Sequence, residues 1–240
     1  MEPSLAATGQ IAYFNYHTHK NIWCFDIFLV NAGGGTTVDI SHNDTIKSDS
    51  APNWSPDGQR IAFSRRYEFG GSDILVMNAD GSKVVNLTGP SLIAGVENVH
   101  PTWSRDGRSI VYASNRDGNF DLYRVPAVPS PSVVSSRLTK TDAPIQNLDP
   151  DYSPVEEMIV FTRVTASPAA HVPAYLVLMK AAPFAPVAPI TKPTAFRGDR
   201  GPAWSPDGSQ IAFHSDRAGN DDVYVLSRDK RRAHRTGSRW

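Results

Sequence analysis

Hydrophobic and polar positions alternate along this chain in short runs that recur at a nearly constant interval. Apolar runs occupy Ile61 to Phe63, Ile110 to Tyr112 and Ile211 to Phe213, and each follows a proline, a large ring and an Asp-Gly turn. A second alternating run comes later in each interval, for example Asp73 to Met77. Short alternating runs bounded by turn residues are typical of β-strands, and no clear helical period is present. The pattern therefore predicts an all-β chain of short antiparallel strands.

The interval is an internal repeat. Its clearest copies are Pro52-Asn53-Trp54-Ser55-Pro56-Asp57-Gly58, Pro101-Thr102-Trp103-Ser104-Arg105-Asp106-Gly107 and Pro202-Ala203-Trp204-Ser205-Pro206-Asp207-Gly208. Two weaker copies are Pro150-Asp151-Tyr152-Ser153-Pro154, where tyrosine replaces tryptophan, and the faded Pro3-Ser4-Leu5. The prolines fall at positions 3, 52, 101, 150 and 202, so the steps are 49, 49, 49 and 52 residues. A period of this length, with four short strands in each copy, predicts a β-propeller with one blade per repeat.

The motifs Trp-Ser-Pro-Asp-Gly, Ile-Ala-Phe and Asn-Ala-Asp-Gly resemble the PD40 repeat of TolB-like propellers, over about residues 2–226. The expected fold is all-β, a β-propeller of four-stranded antiparallel blades with five blades detected. We expect one propeller domain over residues 1–236 and a C-terminal tail at 237–240. Its blades are expected at about 2–46, 51–88, 100–139, 149–191 and 201–236. The resembled family usually has six or seven blades. We expect five blades to close edge to edge, and part of a longer propeller is the alternative.

Composition and charge narrow the classes of partner. Lysine plus arginine equals aspartate plus glutamate at 24 each, so no net charge favours nucleic acid. No run of 18 apolar residues is present, so no membrane span is expected. Cys24 is the only cysteine, which excludes an intrachain disulfide. Residues 1–9 lack the basic and apolar regions of a signal peptide. The chain as written is therefore expected in the cytoplasm, or in the periplasm or cell envelope if it is a mature or trimmed form.

Two sets of recurring side chains favour structural roles. The rings at one position per blade are expected to fill the seams between blades; they are Trp54, Trp103, Tyr152 and Trp204. Aspartates at the start of each third strand are expected to hold the preceding loop through backbone contacts; they are Asp26, Asp73, Asp121 and Asp222.

The strand order separates two faces of the propeller. The short turns after strands one and three should lie together on one face, the bottom face, and they are similar in every repeat. The loops after strands two and four, including those that enter each first strand, should lie on the opposite, top face, and they differ. Variable loops on a rigid frame are where binding sites are usually built. The predicted binding residues of the top face and the channel mouth are Asp49, His100, Asp149, Asp199, Arg200, His17, His19, Arg66 and Tyr67.

Two local patterns suggest a metal ion but are incomplete. Asn115-x-Asp117-Gly118-Asn119-x-Asp121 alternates oxygen-bearing side chains as calcium loops do, and it lacks the closing bidentate glutamate of an EF-hand. His17-x-His19 places two imidazoles on one face of a strand, with no third ligand indicated. No cofactor is therefore expected, and calcium stays open as the alternative.

The usual catalytic signatures are missing from the sequence. It has no Gly-x-Ser-x-Gly, no Gly-x-x-x-x-Gly-Lys and no His-Glu-x-x-His. The expectation is a non-catalytic scaffold that presents its top face to a protein or peptide partner, alone or as a subunit of a larger complex. The resemblance to TolB-like proteins of the bacterial cell envelope implies such a role. The alternative is a metal-dependent, carbohydrate-active enzyme resembling some polysaccharide lyases, using top-face histidines; these are His17, His19, His42, His100, His171 and His214.

Overall fold

The alternating runs form β-strands throughout the computed structural model of this chain. It describes residues 4–6, 8–19, 22–41, 47–68, 70–89, 95–128, 135–165, 173–192, 198–228 and 233–235; for residues 17–19, 22, 23 and 233–235 it describes the backbone alone. Within these ranges the strands form five separate four-stranded sheets, all antiparallel, and the protein is a five-bladed β-propeller. None of the described residues forms a helix long and apolar enough to cross a bilayer.

Each blade takes four strands that are consecutive in the chain, and each strand pairs with the next. Blades one and two contain β1 (Ser4–Leu5), β2 (Gln10–His19), β3 (Ile22–Asn31), β4 (Val38–Asp39), β5 (Ser48–Trp54), β6 (Arg60–Arg66), β7 (Ser72–Asn78) and β8 (Val85–Asn86). Blades three and four contain β9 (Asn98–Trp103), β10 (Ser109–Ser114), β11 (Asp121–Pro126), β12 (Ser136–Arg137), β13 (Ile145–Tyr152), β14 (Met158–Thr165), β15 (Ala174–Lys180) and β16 (Val187–Pro189). Blade five contains β17 (Asp199–Trp204), β18 (Gln210–Ser215), β19 (Asp222–Ser227) and β20 (Ala233–Arg235).

Hydrophobic clusters fill the seams between consecutive blades, and the repeated ring takes part in each. Trp103, for example, packs between Ile74 of blade two and Tyr123 of blade three. Trp54, Trp103 and Tyr152 are buried, whereas Trp204 in the seam between blades four and five is half-buried. Each large ring removes about 150–250 Å² from water, which holds neighbouring blades together. The structure thus confirms the predicted seam role of the rings.

A repeated hydrogen bond crosses each seam beside the ring. The backbone N–H of the ring residue donates to the side chain that lies between proline and ring in the preceding blade. The pairs are Trp54 to Ser4 Oγ (3.1 Å), Trp103 to Asn53 Oδ1 (3.3 Å), Tyr152 to Thr102 Oγ1 (3.2 Å) and Trp204 to Asp151 Oδ2 (2.7 Å). Four different polar residues therefore perform one structural task.

The first and fifth blades are not joined by such a seam in the ranges that the structure describes. Ala203 stands where the polar side chain of the seam hydrogen bond would be needed. Val223 of blade five is 52% exposed, whereas the equivalent Ile74 and Leu122 are fully buried. On blade one, Leu5 at the ring position is 60% exposed. The expectation of edge-to-edge closure is therefore wrong for the described residues, because both faces that would form the last seam still contact solvent.

Three of the recurring aspartates link the third strand of a blade to the end of its fourth strand. The hydroxyl groups of Ser41, Thr88 and Thr139 donate to these carboxylates; the bonds are Ser41 to Asp26 (3.0 Å), Thr88 to Asp73 (3.1 Å) and Thr139 to Asp121 (2.6 Å). All three aspartates are buried. A buried carboxylate requires such donors. The role of these three is therefore structural, as predicted, but they hold the end of the fourth strand through side-chain hydroxyl groups and not the preceding loop through backbone contacts.

The Asp-Gly turns of the bottom face are closed by their own side chains. In each, a serine hydroxyl donates to the aspartate two residues later; the pairs are Ser55–Asp57 (2.5 Å), Ser104–Asp106 (2.6 Å) and Ser205–Asp207 (2.6 Å). These bonds lower the pKa of all three carboxyl groups, that of Asp207 to about 2. The serine and aspartate side chains of these turns thus bond to each other and stabilise the turn.

The turn at Gly81 shows how closely neighbouring blades pack at the bottom face. Gly81 has φ +82° and a Cβ there would lie 2.2 Å from the carbonyl oxygen of Ile40 in blade one. Gly118 also has a positive φ, +91°, but a Cβ there would meet nothing within 4 Å. We expect Gly118→Ala to lower the free energy of unfolding by about 1 kcal/mol, from backbone strain alone. Gly81→Ala should cost about 2–3 kcal/mol because it adds a backbone clash. Urea denaturation measures both, and equal losses would contradict the close packing.

Candidate functional site

The inner strands of the five blades line a central channel. Its cavity has a volume of about 400 Å³ and is lined by the proline-ring segments of all five blades. The prolines Pro52, Pro101, Pro150 and Pro202 contribute to the wall, as do Leu5 and Trp204. Its polar side chains are Ser4, Asn53, His100, Asp149 and Asp151. The ionisable groups of the wall thus lie on blades three and four.

The residue before each proline forms a β-bulge that turns it towards the channel. Ala51, His100, Asp149 and Gly201 occupy this position, with φ values of +50°, +53°, +49° and +57°. The strand pairing shifts register at each of these points. A positive φ is strained for residues with a Cβ, although Asp and His adopt it more readily than most. Blades two and five have the smallest residues here, and blades three and four have ionisable ones.

His100 and Asp149 meet across the seam between blades three and four. Nδ1 of His100 lies 2.7 Å from Oδ1 of Asp149. The Asp149 carboxylate also accepts hydrogen bonds from Thr162 and from the backbone N–H of Gly201. Burial opposes ionisation of Asp149, but the hydrogen bond and charge of His100 outweigh it, so the pKa of Asp149 is lowered. The structure brings these two predicted residues together, as an imidazole–carboxylate pair in the channel wall.

Asp49 and Asp199 have a different environment from the one expected of channel-mouth residues. Asp49 is fully buried, and Arg65 donates to both its carboxylate oxygens at 2.7 and 2.6 Å. Asp199 is buried as well and accepts from Arg217 at 2.7 Å. Both carboxylates therefore face arginines of their own blade.

The other predicted residues are dispersed over the top face. Arg66 is exposed and lies 3.2 Å from Glu97. Tyr67 is half-buried; burial raises its pKa to about 12, and nearby Asp73 adds to this shift. The Arg200 guanidinium packs within 2.7 Å of the position that a Cβ on Gly198 would take. The side chains of His17 and His19 lie outside the described residues, although their backbone is part of β2.

Four arginines of the top face form a repeated arrangement that the sequence analysis missed. In blades two to five, one arginine stacks over the aromatic ring of the second strand and donates to an Asp or Asn three residues before the motif proline. We call them the capping arginines; their acceptors are Asp49 for Arg65, Asn98 for Arg116, Asn147 for Arg163 and Asp199 for Arg217. The signal in the sequence is the Asp or Asn that recurs three residues before the proline in blades two to five.

Asp151 carries a carboxyl group in the seam between blades four and five. It accepts hydrogen bonds from the Trp204 N–H and, at 3.2 Å, from the Thr102 hydroxyl. Burial outweighs these bonds and raises its pKa from 3.8 to about 6. The fold therefore favours the protonated form. The contribution of this group to stability is full below about pH 3.8 and is lost as the pH rises through about 6.

Replacing this carboxyl with an amide should stabilise the protein at alkaline pH. Asn53 makes the same seam hydrogen bond in blade two without a charge. We expect Asp151→Asn to raise the free energy of unfolding by about 1–2 kcal/mol near pH 8, and to change it little near pH 4. The matched variant Asn53→Asp should lower stability near pH 8. Urea denaturation at both pH values measures these changes. An equal gain in the free energy of unfolding of Asp151→Asn at pH 4 and pH 8 would contradict a raised pKa of Asp151.

The side chains of the suggested calcium loop form hydrogen bonds within the protein. Asp117 accepts from the Tyr123 hydroxyl at 2.7 Å and from Arg137 at 3.0 Å. Among the described side chains no three His, Cys, Asp or Glu residues are grouped so as to hold a metal ion. His42 and His171 lie outside the described residues, as do the side chains of His17 and His19.

Comparison with known families gives one match over most of the chain. The family described as TolB beta propeller domain, PD40, matches residues 1–182.

Two curated proteins and one solved structure are similar to between half and nearly all of this chain. The chain is 26% identical over 235 residues to "Uncharacterized peptidase YuxL" of Bacillus subtilis, covering 94% of this chain and 32% of that protein. It is 31% identical over 141 residues to "Dipeptidyl-peptidase 5" of Porphyromonas gingivalis, covering 50% of this chain and 20% of that protein. TolB from Acinetobacter baumannii has a TM-score of 0.73 at 20% identity, covering 97% of this chain and 53% of that chain. The chain thus spans about a third or less of the length of these curated relatives, and the likeness to the solved structure shows the fold.

Proposed function

Because the chain belongs to the PD40 family of TolB β-propeller domains, we propose that it is a binding module that holds a protein or peptide partner. The binding site is the central channel, entered from the top face. The observation that carries this proposal is the channel itself, a cavity of about 400 Å³ with the His100–Asp149 pair in its wall. A concave site with a few converging polar groups in a mainly apolar wall is typical of ligand binding.

The difference between the two faces supports the top as the binding side. The bottom turns between first and second strands are all five residues long in blades two to five, at 55–59, 104–108, 153–157 and 205–209. The segments that enter the first strands differ in length, at 40–47, 87–97, 138–144 and 190–198. Uniform turns serve the frame, whereas variable loops provide specificity.

Peptide selection followed by a single substitution tests the proposal. A display library of random peptides is selected on the protein, and the affinity of each selected peptide is measured by calorimetry. We expect His100→Asn to weaken binding by about tenfold, because it removes the imidazole while asparagine tolerates the positive φ. The control is Glu156→Gln, an exposed change in a bottom turn. Equal affinities of both variants and the unchanged protein would place the site elsewhere.

Similarity to peptidases favours a second, related function. The chain is similar over 94% of its length to about a third of a protein named as a peptidase. In that setting the propeller would hold the peptide substrate of a separate catalytic unit, and the same channel mouth would bind it. The carbohydrate-active alternative requires a metal ion. Elemental analysis of the purified protein distinguishes it, since stoichiometric zinc or manganese would favour the enzyme.

A further inference from the structure

The four capping arginines have the same place in their blades but different partners. In blade two, Arg65 binds both oxygens of the Asp49 carboxylate, and in blade five Arg217 binds Asp199. Each of these two cations is neutralised within its own blade. A guanidinium and a carboxylate that meet in this way form one of the strongest hydrogen-bonded pairs in proteins.

Blades three and four have asparagine where the other two have aspartate. Arg116 of blade three compensates with several partners, because it also donates to the Ser114 and Tyr112 hydroxyl groups. Arg163 of blade four donates through Nε to Asn147 Oδ1 at 3.0 Å. Its two terminal nitrogens donate to no group within the described ranges, and no described carboxylate forms an ion pair with it. Arg163 therefore offers an unneutralised charge and a set of hydrogen-bond donors.

Asn147 cannot readily be replaced by an internal carboxylate. Its Nδ2 donates to Asp121 Oδ1 at 2.9 Å and to Thr139 Oγ1 at 3.1 Å. An aspartate here would lose these bonds and repel Asp121. The same contacts fix the orientation of the amide, so its oxygen points to Arg163 and holds the guanidinium in place. The missing negative charge is thus a consequence of the seam between blades three and four.

The position of Arg163 places it at the rim of the proposed binding site. Arg163 on β14 pairs directly with Asn147 on β13, and Asn147 is two residues before Asp149 of the channel wall. A ligand that contacts His100 and Asp149 in the channel mouth would therefore lie close to Arg163.

We propose that Arg163 binds a carboxylate of the partner at the channel mouth through its two terminal nitrogens, since Asn147 holds only Nε. This inference rests on the proposed function and adds the chemical class that the site recognises: an acidic side chain or the C-terminal carboxylate of a peptide. Arginine suits this role because its planar fork matches the two oxygens of a carboxylate.

Small carboxylates test the site without any selected peptide. The probes are N-acetylglycine, which carries the carboxylate of a peptide C-terminus, and propionate, which represents an acidic side chain. We expect a saturable shift of the Arg163 Nε–Hε resonance in NMR, and little shift of Arg65, which Asp49 already occupies. N-acetylglycinamide, which lacks the charge, should leave both resonances unchanged. Equal, unsaturated shifts of both arginines, or no shift of Arg163, would overturn the proposal.

Substitutions provide a second measurement. Arg163→Met should abolish the saturable binding, and Arg163→Lys should weaken it by about tenfold, because lysine keeps the charge but loses the fork. The control Lys140→Met removes an exposed positive charge from the same face and should leave binding unchanged. Binding that survives Arg163→Met, or falls equally in Lys140→Met, would contradict a site at Arg163.

The selected peptides separate failure of this proposal from failure of the proposed function. If no peptide binds at the channel mouth, the small carboxylates still report on Arg163 alone. If peptides bind the unchanged protein and Arg163→Met equally well, the channel site stands and the carboxylate site is wrong. Amidation of the peptide C-terminus, compared with exchange of its acidic residues for amides, shows which carboxylate Arg163 binds.

Discussion

Replacing Asp121 with alanine is expected to lower the free energy of unfolding by about 3–5 kcal/mol, because it leaves buried donors without an acceptor and removes the buried carboxylate that pairs with Arg137. The Asp121 side chain is fully buried and accepts from Arg137 at 2.6 Å, Thr139 at 2.6 Å and Asn147 at 2.9 Å. Asn147 belongs to the next blade, so this single carboxylate joins two blades. Urea denaturation followed by tryptophan fluorescence measures the loss.

Asp117 provides a matched control for this prediction. It binds the same arginine, Arg137, at 3.0 Å, but its side chain is 48% exposed. Exposed ion pairs contribute less than about 1 kcal/mol, so Asp117→Ala should have a small effect. If both alanine variants lose equal stability, the carboxylate of Asp121 is not the link between blades three and four.

Replacing Trp103 with alanine should also cost about 3–5 kcal/mol, the usual range for a large buried ring. Trp103 is almost fully buried between blades two and three, and its indole N–H donates to the Asn53 carbonyl at 3.0 Å. Arg60 stacks over the ring at 4.6 Å. The substitution would open a cavity in the seam and remove these contacts together.

Trp204 has the same repeat position and tests the reason for that loss. It is half-buried in the seam between blades four and five. We expect Trp204→Ala to cost about 1–2 kcal/mol less than Trp103→Ala, since less apolar surface returns to water. Losses of equal size in the two variants would show that the seam between blades four and five is packed as tightly as the one between blades two and three.

Much of the fold could be predicted from the sequence because the determinants are local and repeated. Three blades have the proline, the ring and the Asp-Gly turn, and all five have two apolar runs, so the weaker copies are recognised from the clear ones. The seam rings and the aspartates of the third strand were identified in this way. Closure between blades five and one could not be predicted, because it depends on how two distant faces fit and on the single change to Ala203.

The candidate site was less predictable, for a physical reason. Residues two apart in a strand share a face, which would place Asp199 beside the channel-facing Gly201. The bulge at Gly201 breaks this alternation, so Asp199 faces Arg217 instead. The capping arginines were not predicted, because their distance along the chain from the aromatic residue of the second strand varies. Arg65 and Arg163 follow the aromatic residue of the second strand by two positions, and Arg116 and Arg217 by four.

Site-specific photo-crosslinking tests most directly whether the central channel binds the partner. A photoreactive phenylalanine analogue replaces Ala203, an exposed residue that lines the channel, or Ser82, an exposed residue of a bottom turn. Each variant is irradiated with a peptide selected for binding. We predict a cross-link from position 203 alone, suppressed by an excess of unlabelled peptide. A cross-link from position 82, or none from position 203, would contradict binding in the channel.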